Sequence, residues 1–149
     1  MKKHKFRTWD PENKFHEGFI KKYKYWTFEI SYRQHTLGSF LIILNRKAER
    51  ISDLTKEELV SLGEIMKIAE KAVDKTFKPD RYNYLQLGNG VKHLHFHGIP
   101  RYETERIFDG VKYVDKNFGL PPIWSYENVS HEQVSKIRIA VLLVCKKRF

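Results

Sequence analysis

Three histidines alternate with two apolar residues in the run His-Leu-His-Phe-His, which begins at His93. In an extended strand, alternate side chains share a face and lie about 7 Å apart along the chain. The pattern therefore predicts that His93, His95 and His97 line one surface while Leu94 and Phe96 face the core. Histidine is the side chain that most readily exchanges a proton near neutral pH. This spacing predicts a chemical site rather than ordinary packing.

A metal site is one interpretation of the run, because histidine is a common zinc ligand and two histidines two residues apart on a strand can share an ion. However, His93 and His97 would lie about 13 Å apart along a straight strand, whereas zinc–ligand bonds are about 2 Å long. One ion bound by all three histidines would require a bend, so the spacing argues against this interpretation.

Nucleophilic attack on a phosphate is a second interpretation. A neutral imidazole can bond to phosphorus and so divide one difficult step into two easier ones. Its other ring nitrogen needs a partner, such as a backbone carbonyl, that fixes the tautomer. The flanking histidines can donate hydrogen bonds to the phosphate as charge develops. This interpretation uses all three residues and needs no metal; the remaining one is that the imidazoles are satisfied polar groups on a wet sheet face.

Length and composition indicate one globular domain over residues 1–149, with 41% hydrophobic and 14% aromatic residues. No apolar run approaches the roughly 20 residues that span a membrane, and no apolar signal-peptide core follows the basic start. The single Cys145 excludes an intramolecular disulfide and an all-cysteine metal site. These features predict a cytoplasmic protein without a membrane partner. The formal net charge of +10 favours phosphate-bearing ligands.

The apolar patterns predict an α+β fold, with an antiparallel sheet, a long helix after the second strand and a C-terminal helix. Thr55 and Glu58 form a capping box before that long helix, and Gly88-Asn89-Gly90 predicts a tight hairpin turn. The buried stripe of the long helix is predicted at Leu59, Leu62, Met66, Ala69 and Val73. The chain is predicted to begin with a basic N-terminal arm over 1–24 that contains a short helix around Phe15–Ile20. The predicted strands are Tyr25–Ile30, Leu37–Leu44, Tyr82–Leu87 and Val91–Ile99. The predicted helices are 55–76 and 130–147, and a long loop is predicted over Arg101–Val129.

The segment Gly-Val-Lys-His-Leu-His-Phe-His-Gly-Ile-Pro-Arg, from Gly90 to Arg101, resembles the signature of the histidine triad (HIT) family of nucleotide hydrolases and transferases. The Pro-Arg pair after the histidines is similar to the branch that includes dinucleoside polyphosphate hydrolases. The resemblance extends back through Leu37–Phe77 and forward to Pro122-Ile123-Trp124, so it covers roughly residues 26–126.

The resemblance implies a role for each residue of the motif. His95, the middle histidine, corresponds to the nucleophile that attacks the α-phosphate and carries the nucleotidyl group. His93 and His97 correspond to the histidines that hold the phosphate and orient the nucleophile. Asn89 matches a position where family members carry an amide that contacts the phosphates.

Three further residues are implied in nucleotide binding. Ser31 falls near a position that contacts the ribose, and Phe28 and Ile30 correspond to residues lining the base pocket, for which ordinary sheet core is the alternative. Ser39 stands where many relatives carry a histidine, and His35 lies nearby but out of register.

The resemblance implies a homodimer whose two sheets continue across the interface. It also implies hydrolysis or transfer at the α-phosphate of dinucleoside polyphosphates, phosphoramidates or adenylylated compounds. No cofactor or metal is expected, with magnesium entering only on a polyphosphate substrate. The alternatives are aprataxin-like release of a nucleotide from a nucleic-acid end, a non-catalytic nucleotide-binding module, and a metal-dependent hydrolase. The basic termini favour the first, but no zinc finger accompanies them, so a nucleic-acid partner is not favoured.

Overall fold

Five antiparallel strands form one sheet. The structure is a computed structural model that describes residues 17–146. The sheet strands are β1 Phe19–Lys22, β2 Trp26–Ile30, β3 Phe40–Leu44, β4 Arg81–Leu85 and β5 His95–Arg101, and they lie in the order β1-β2-β3-β5-β4. A separate hairpin consists of β6 Arg106–Phe108 and β7 Val111–Tyr113. The α-helices are α1 Lys56–Phe77 and α2 His131–Lys146. This architecture confirms the predicted α+β fold with its long central helix and C-terminal helix.

Helix α1 begins with the predicted capping box. The Thr55 hydroxyl accepts a hydrogen bond from the Glu58 backbone N–H at 3.1 Å, and the Glu58 carboxylate accepts one from the Thr55 N–H at 2.9 Å. The predicted stripe is wrong at its start, because Leu59 is 47% exposed. The buried Glu58 faces the core side of this turn instead, where Arg46 donates to its carboxylate at 2.8 Å. The buried residues of α1 are Glu58, Ile65, Ala69, Ala72, Val73 and Phe77.

Helix α2 packs against the same core through Val134, Ile137 and Val141, which are fully buried. Its first turn contains half of a capping box between Ser130 and Gln133. The Ser130 hydroxyl accepts the Gln133 backbone N–H at 3.1 Å, whereas the Gln133 amide donates to the hydroxyl of a tyrosine on β7 at 2.7 Å. The helix is therefore held at its start both by its own cap and by the small β6–β7 hairpin.

The register of the sheet separates its two faces. Phe28 of β2 pairs with Ile42 of β3, which pairs with Phe96 of β5, and these residues belong to the hydrophobic core covered by the helices. Because side chains alternate along a strand, His95 and His97 project from the opposite face. The predicted orientation of Leu94 and Phe96 is confirmed, since both are buried.

Glycine at position 98 is required by close packing across the sheet. Gly98 pairs with Phe40 in register. A Cβ atom on Gly98 would lie 2.2 Å from the Phe40 ring, which is closer than non-bonded carbon atoms approach each other. The Phe40 ring thus occupies the space that a side chain after the third histidine would otherwise fill.

Several predicted boundaries are wrong. The arm predicted over 1–24 with a short helix at Phe15–Ile20 contains strand β1 from Phe19 onwards, while residues 1–16 lie outside the described part. The histidine strand begins at His95, not Val91, and passes through Pro100 to its end. Proline is tolerated there because pairing with β3 ends at Gly98, which leaves that side of β5 without a ladder partner.

The predicted loop over Arg101–Val129 contains the β6–β7 hairpin. Its turn is Asp109-Gly110, and both residues have positive φ, 51° and 74°. An Asp-Gly pair is a strong hairpin signal, but the flanking strands of three residues are too short to show an alternating pattern. Strand β3 starts three residues late because Gly38 adopts a φ of 84° in a turn closed by the Ser39 N–H and the Thr36 carbonyl.

Candidate active site

His95, the first residue of β5, is held in one tautomer. Its Nδ1 lies 2.6 Å from the backbone carbonyl oxygen of His93. Since a carbonyl can only accept, Nδ1 carries the proton and Nε2 has the free lone pair. Burial lowers the pKa of His95 below its ordinary value, against the opposing effect of that backbone hydrogen bond. His95 is therefore neutral near pH 7 with a nucleophilic Nε2.

His93 lies before the strand, so the prediction that all three histidines lie on one strand is wrong at this position. Its Nε2 donates to the carbonyl oxygen of Leu44, at the end of β3, at 2.6 Å. The ring of His93 is thereby attached to β3, while its carbonyl orients His95. The first histidine of the run can thus contribute by positioning the second through its backbone.

His97 lies next to His95, with ring centroids 4.9 Å apart and an interplanar angle of 72°. Burial, together with the neighbouring His95, His35 and Arg33, lowers the pKa of His97 to about 3. Its Nδ1 is buried and has no hydrogen-bond partner among the described residues. His97 is therefore a neutral imidazole whose Nδ1 has no partner among the described residues and whose ring lies beside His95.

His35 also lies at the site, although the sequence analysis noted it only as out of register and gave it no role. Its ring stacks on Trp124 with centroids 3.9 Å apart and lies 6.2 Å from that of His97. Trp124 also contacts His97 edge-on at 4.8 Å. Burial lowers the pKa of His35 to about 4. No local pattern signals this cluster, because the contact joins residues 89 positions apart in the chain.

The other predicted site residues fall into two groups. Ser31 is buried, and its hydroxyl accepts the Arg33 backbone N–H at 3.1 Å. Asn89 is exposed in the connection that leads to His93. Phe28 and Ile30 are fully buried on the helix-covered face, opposite His95. These two therefore have the sheet-core position that was the alternative to a base pocket, and the sheet separates them from the histidines.

A buried arginine fixes the segment that carries Trp124. Arg101 is 3% exposed, and its guanidinium donates to Asp115 at 2.6 Å and 3.1 Å. Its remaining hydrogen bonds are to the Asn83 side chain at 2.6 Å, the Leu120 carbonyl at 2.7 Å and the Asn117 carbonyl at 2.8 Å. Bidentate pairing of this kind has a defined geometry. The end of β5 thus anchors residues 115–120, from which the chain continues to Trp124.

Within residues 17–146, no group of three or more His, Cys, Asp or Glu side chains is placed to hold a metal ion. In the same part of the chain, neither helix combines the length and the apolar character needed to cross a bilayer.

Comparison with known proteins identifies the fold of this site. Residues 33–104 match the family model of the HIT domain. A histidine triad nucleotide-binding protein from Sulfolobus tokodaii has a similar structure, with a TM-score of 0.67, 18% identity, and coverage of 87% of this chain and 83% of that chain. A HIT-like protein from Bartonella henselae also has a TM-score of 0.67, at 18% identity and 90% coverage of both chains. Diadenosine triphosphate hydrolase from Plasmodium falciparum has a TM-score of 0.66 at 14% identity, over 89% of this chain and 79% of that one. Comparison with curated protein sequences gives no significant match.

Proposed function

Because this chain belongs to the HIT family through its domain at residues 33–104, we propose that it cleaves nucleoside 5′-phosphate derivatives at the α-phosphate. The family comprises nucleotide-binding hydrolases and transferases. The substrate class is a dinucleoside polyphosphate, a nucleoside phosphoramidate or an adenylylated compound. No cofactor is required, and magnesium enters only with a polyphosphate substrate.

The observation that carries this proposal is the fixed tautomer of His95. The His93 carbonyl holds the proton on Nδ1, so the lone pair of Nε2 is permanently available. A lowered pKa keeps that lone pair unprotonated at neutral pH. A nucleophile and a group that orients it are the two elements that covalent catalysis needs first.

The reaction then proceeds in two displacements. Nε2 of His95 bonds to the α-phosphorus, and the bond from phosphorus to the leaving group breaks, with the leaving group taking the electron pair and a proton. Water next attacks the same phosphorus, the nitrogen–phosphorus bond breaks, and the nucleoside monophosphate is released. His97, 4.9 Å from His95 between ring centroids, is the neighbour that can donate to phosphate oxygens.

A substrate panel analysed by mass spectrometry tests this proposal. The purified protein is mixed for milliseconds to seconds with diadenosine triphosphate, an adenosine phosphoramidate and adenylylated nicked DNA. We expect nucleoside monophosphate as product and a transient adenylyl adduct on His95. Turnover of the DNA alone would favour the aprataxin-like alternative, and no adduct or product with any substrate would contradict the proposal.

We also propose that the protein is a homodimer whose sheet continues through β4. Strand β4 is at the edge of the sheet and pairs only with β5 among the described residues. An unpaired edge presents backbone N–H and C=O groups that a second copy can bond. Native mass spectrometry should give the mass of two chains. A monomer at micromolar concentration would contradict this assembly.

A further inference from the structure

The second half of helix α2 and the hairpin of β1 and β2 lie side by side at one edge of the fold. The Arg138 guanidinium of α2 donates a hydrogen bond to the backbone carbonyl of Phe19 in β1. Burial raises the pKa of the Cys145 thiol, and the positive charge of Lys21 opposes that effect, so Lys21 lies near the end of the helix. The two elements therefore share one surface, although they are more than 100 residues apart in the chain.

Positive charge on these two elements is not interrupted by acidic residues. Residues 18–28 contain three basic residues and no Asp or Glu, and residues 137–149 contain four basic residues and no Asp or Glu. At the start of α2, by contrast, Glu132 and Asp109 both pair with Lys136. The charge is therefore concentrated on the hairpin and the second half of the helix, where it attracts polyanions such as anionic lipid head groups.

Two exposed aliphatic side chains lie beside this charge. Ile139 and Leu143 are one helical turn apart, and they are 48% and 56% exposed. With about 100° of rotation per residue, both lie on the outward side of α2, roughly opposite the buried Val141. Aliphatic side chains next to basic ones suit the boundary between lipid head groups and acyl chains. We call this surface the basic face, and its members are Lys21, Lys24, Arg138, Ile139 and Leu143.

The tyrosines of the hairpin favour a lipid surface over a nucleic acid. Nζ of Lys21 lies 5.0 Å from the centre of the Tyr23 ring, and Nζ of Lys24 lies 5.2 Å from that of Tyr25. Both rings are partly buried and pack against the hydrophobic core. They are therefore engaged within the protein and poorly placed to stack on bases, which is how aromatic residues hold single-stranded nucleic acids.

We propose that the basic face docks reversibly on an anionic lipid bilayer. The lysine side chains contact the head groups, while Ile139 and Leu143 enter the boundary with the acyl chains. The sequence predicts no membrane partner because no run can span a bilayer, but a protein that lies on a bilayer needs no spanning run. His95 and His97 project from the other face of the sheet, so docking leaves them in water. The inference thus goes beyond the proposed function and does not depend on it.

Co-sedimentation of the full chain with lipid vesicles tests this proposal. Vesicles of phosphatidylcholine alone are compared with vesicles that contain about one third phosphatidylserine, at about 0.1 M salt. The wild-type protein should bind only the anionic vesicles. Lys21→Gln combined with Lys24→Gln should lower the partition coefficient about 20- to 30-fold, because each lysine near an anionic surface contributes roughly fivefold.

A matched pair of lysines controls for the loss of net charge. Lys78 precedes β4 at the opposite edge of the sheet, Lys116 follows the buried Asp115, and both lysines are exposed. Lys78→Gln combined with Lys116→Gln should therefore leave the partition coefficient within about threefold of the wild-type value. Equal losses in the two lysine pairs would overturn the proposal, because net charge rather than the basic face would then account for binding.

The aliphatic side chains distinguish a bilayer from other polyanions. Ile139→Ser combined with Leu143→Ser keeps every charge and should lower the partition coefficient about 10-fold, the loss expected for two half-exposed aliphatic side chains. Binding within about twofold of the wild-type value would overturn the proposal, since charge alone would then explain it, as it would for a nucleic acid. Failure of the wild-type protein to sediment with anionic vesicles would overturn it as well. Circular dichroism checks that each variant is folded, and none of these measurements requires turnover.

Discussion

Replacement of His95 by alanine is expected to lower turnover at least about 1,000-fold, because it removes the imidazole that we propose bonds to phosphorus. The substitution truncates a partly buried ring at the open face of the sheet, so the fold should survive. Stopped-flow product analysis gives the rate, and circular dichroism with thermal unfolding checks the structure. The same samples, quenched during turnover, should contain no nucleotidyl adduct.

A matched variant separates the chemical role from a general effect of losing a histidine. His131 begins α2 and its side chain is 65% exposed, away from the histidine run. His131→Ala should therefore keep both the rate and the adduct. Residual turnover above about one tenth of the wild-type rate in His95→Ala, with a normal melting temperature, would eliminate His95 as the nucleophile.

The sequence predicts the part of the site in which residues alternate regularly along the strand. Alternation along an extended strand places His95 and His97 on one face and Phe96 on the other, and the structure has this arrangement. The carbonyl partner expected for a nucleophilic imidazole is also found within the run, because the His93 carbonyl accepts from Nδ1 of His95. Here the sequence pattern and the geometry involve the same few residues, so little depends on the rest of the fold.

The other parts depend on contacts between residues far apart in the chain. His35 reaches His97 only because β3 and β5 are neighbours in the sheet, and Trp124 reaches both only because its segment folds back. The resemblance implied a base-pocket position for Phe28, with sheet core as the alternative. Alternation could not decide between them, because it defines two faces of a strand but not which face the helices cover. The helix-covered face is decided by the packing of α1 and α2, which no single strand pattern contains.

The salt bridge between Arg101 and Asp115 holds the segment that leads to Trp124. A single substitution there should have a large effect on the stability of the protein. Arg101→Ala is expected to lower the free energy of unfolding by about 3–5 kcal/mol, the usual cost of removing one partner of a buried ion pair. Both side chains are buried, with 3% of Arg101 and 2% of Asp115 exposed, so solvent cannot replace the lost bonds. The carbonyls of Asn117 and Leu120 lose their donor as well. Urea denaturation followed by circular dichroism measures the change.

The same substitution should also increase the mobility of the segment that leads to Trp124, which contacts His35 and His97. Hydrogen exchange of peptides spanning residues 115–126 should become faster in Arg101→Ala, while exchange in α1 under native conditions should change much less. Arg50→Ala is the matched control, because that arginine is exposed and should change stability by no more than about 0.5 kcal/mol. Replacing both members of the pair, as Arg101→Met with Asp115→Leu, should cost less than Arg101→Ala alone, since no charge is then left buried and unpaired. A loss below about 1 kcal/mol in Arg101→Ala, with unchanged exchange at 115–126, would show that the segment is held by other contacts.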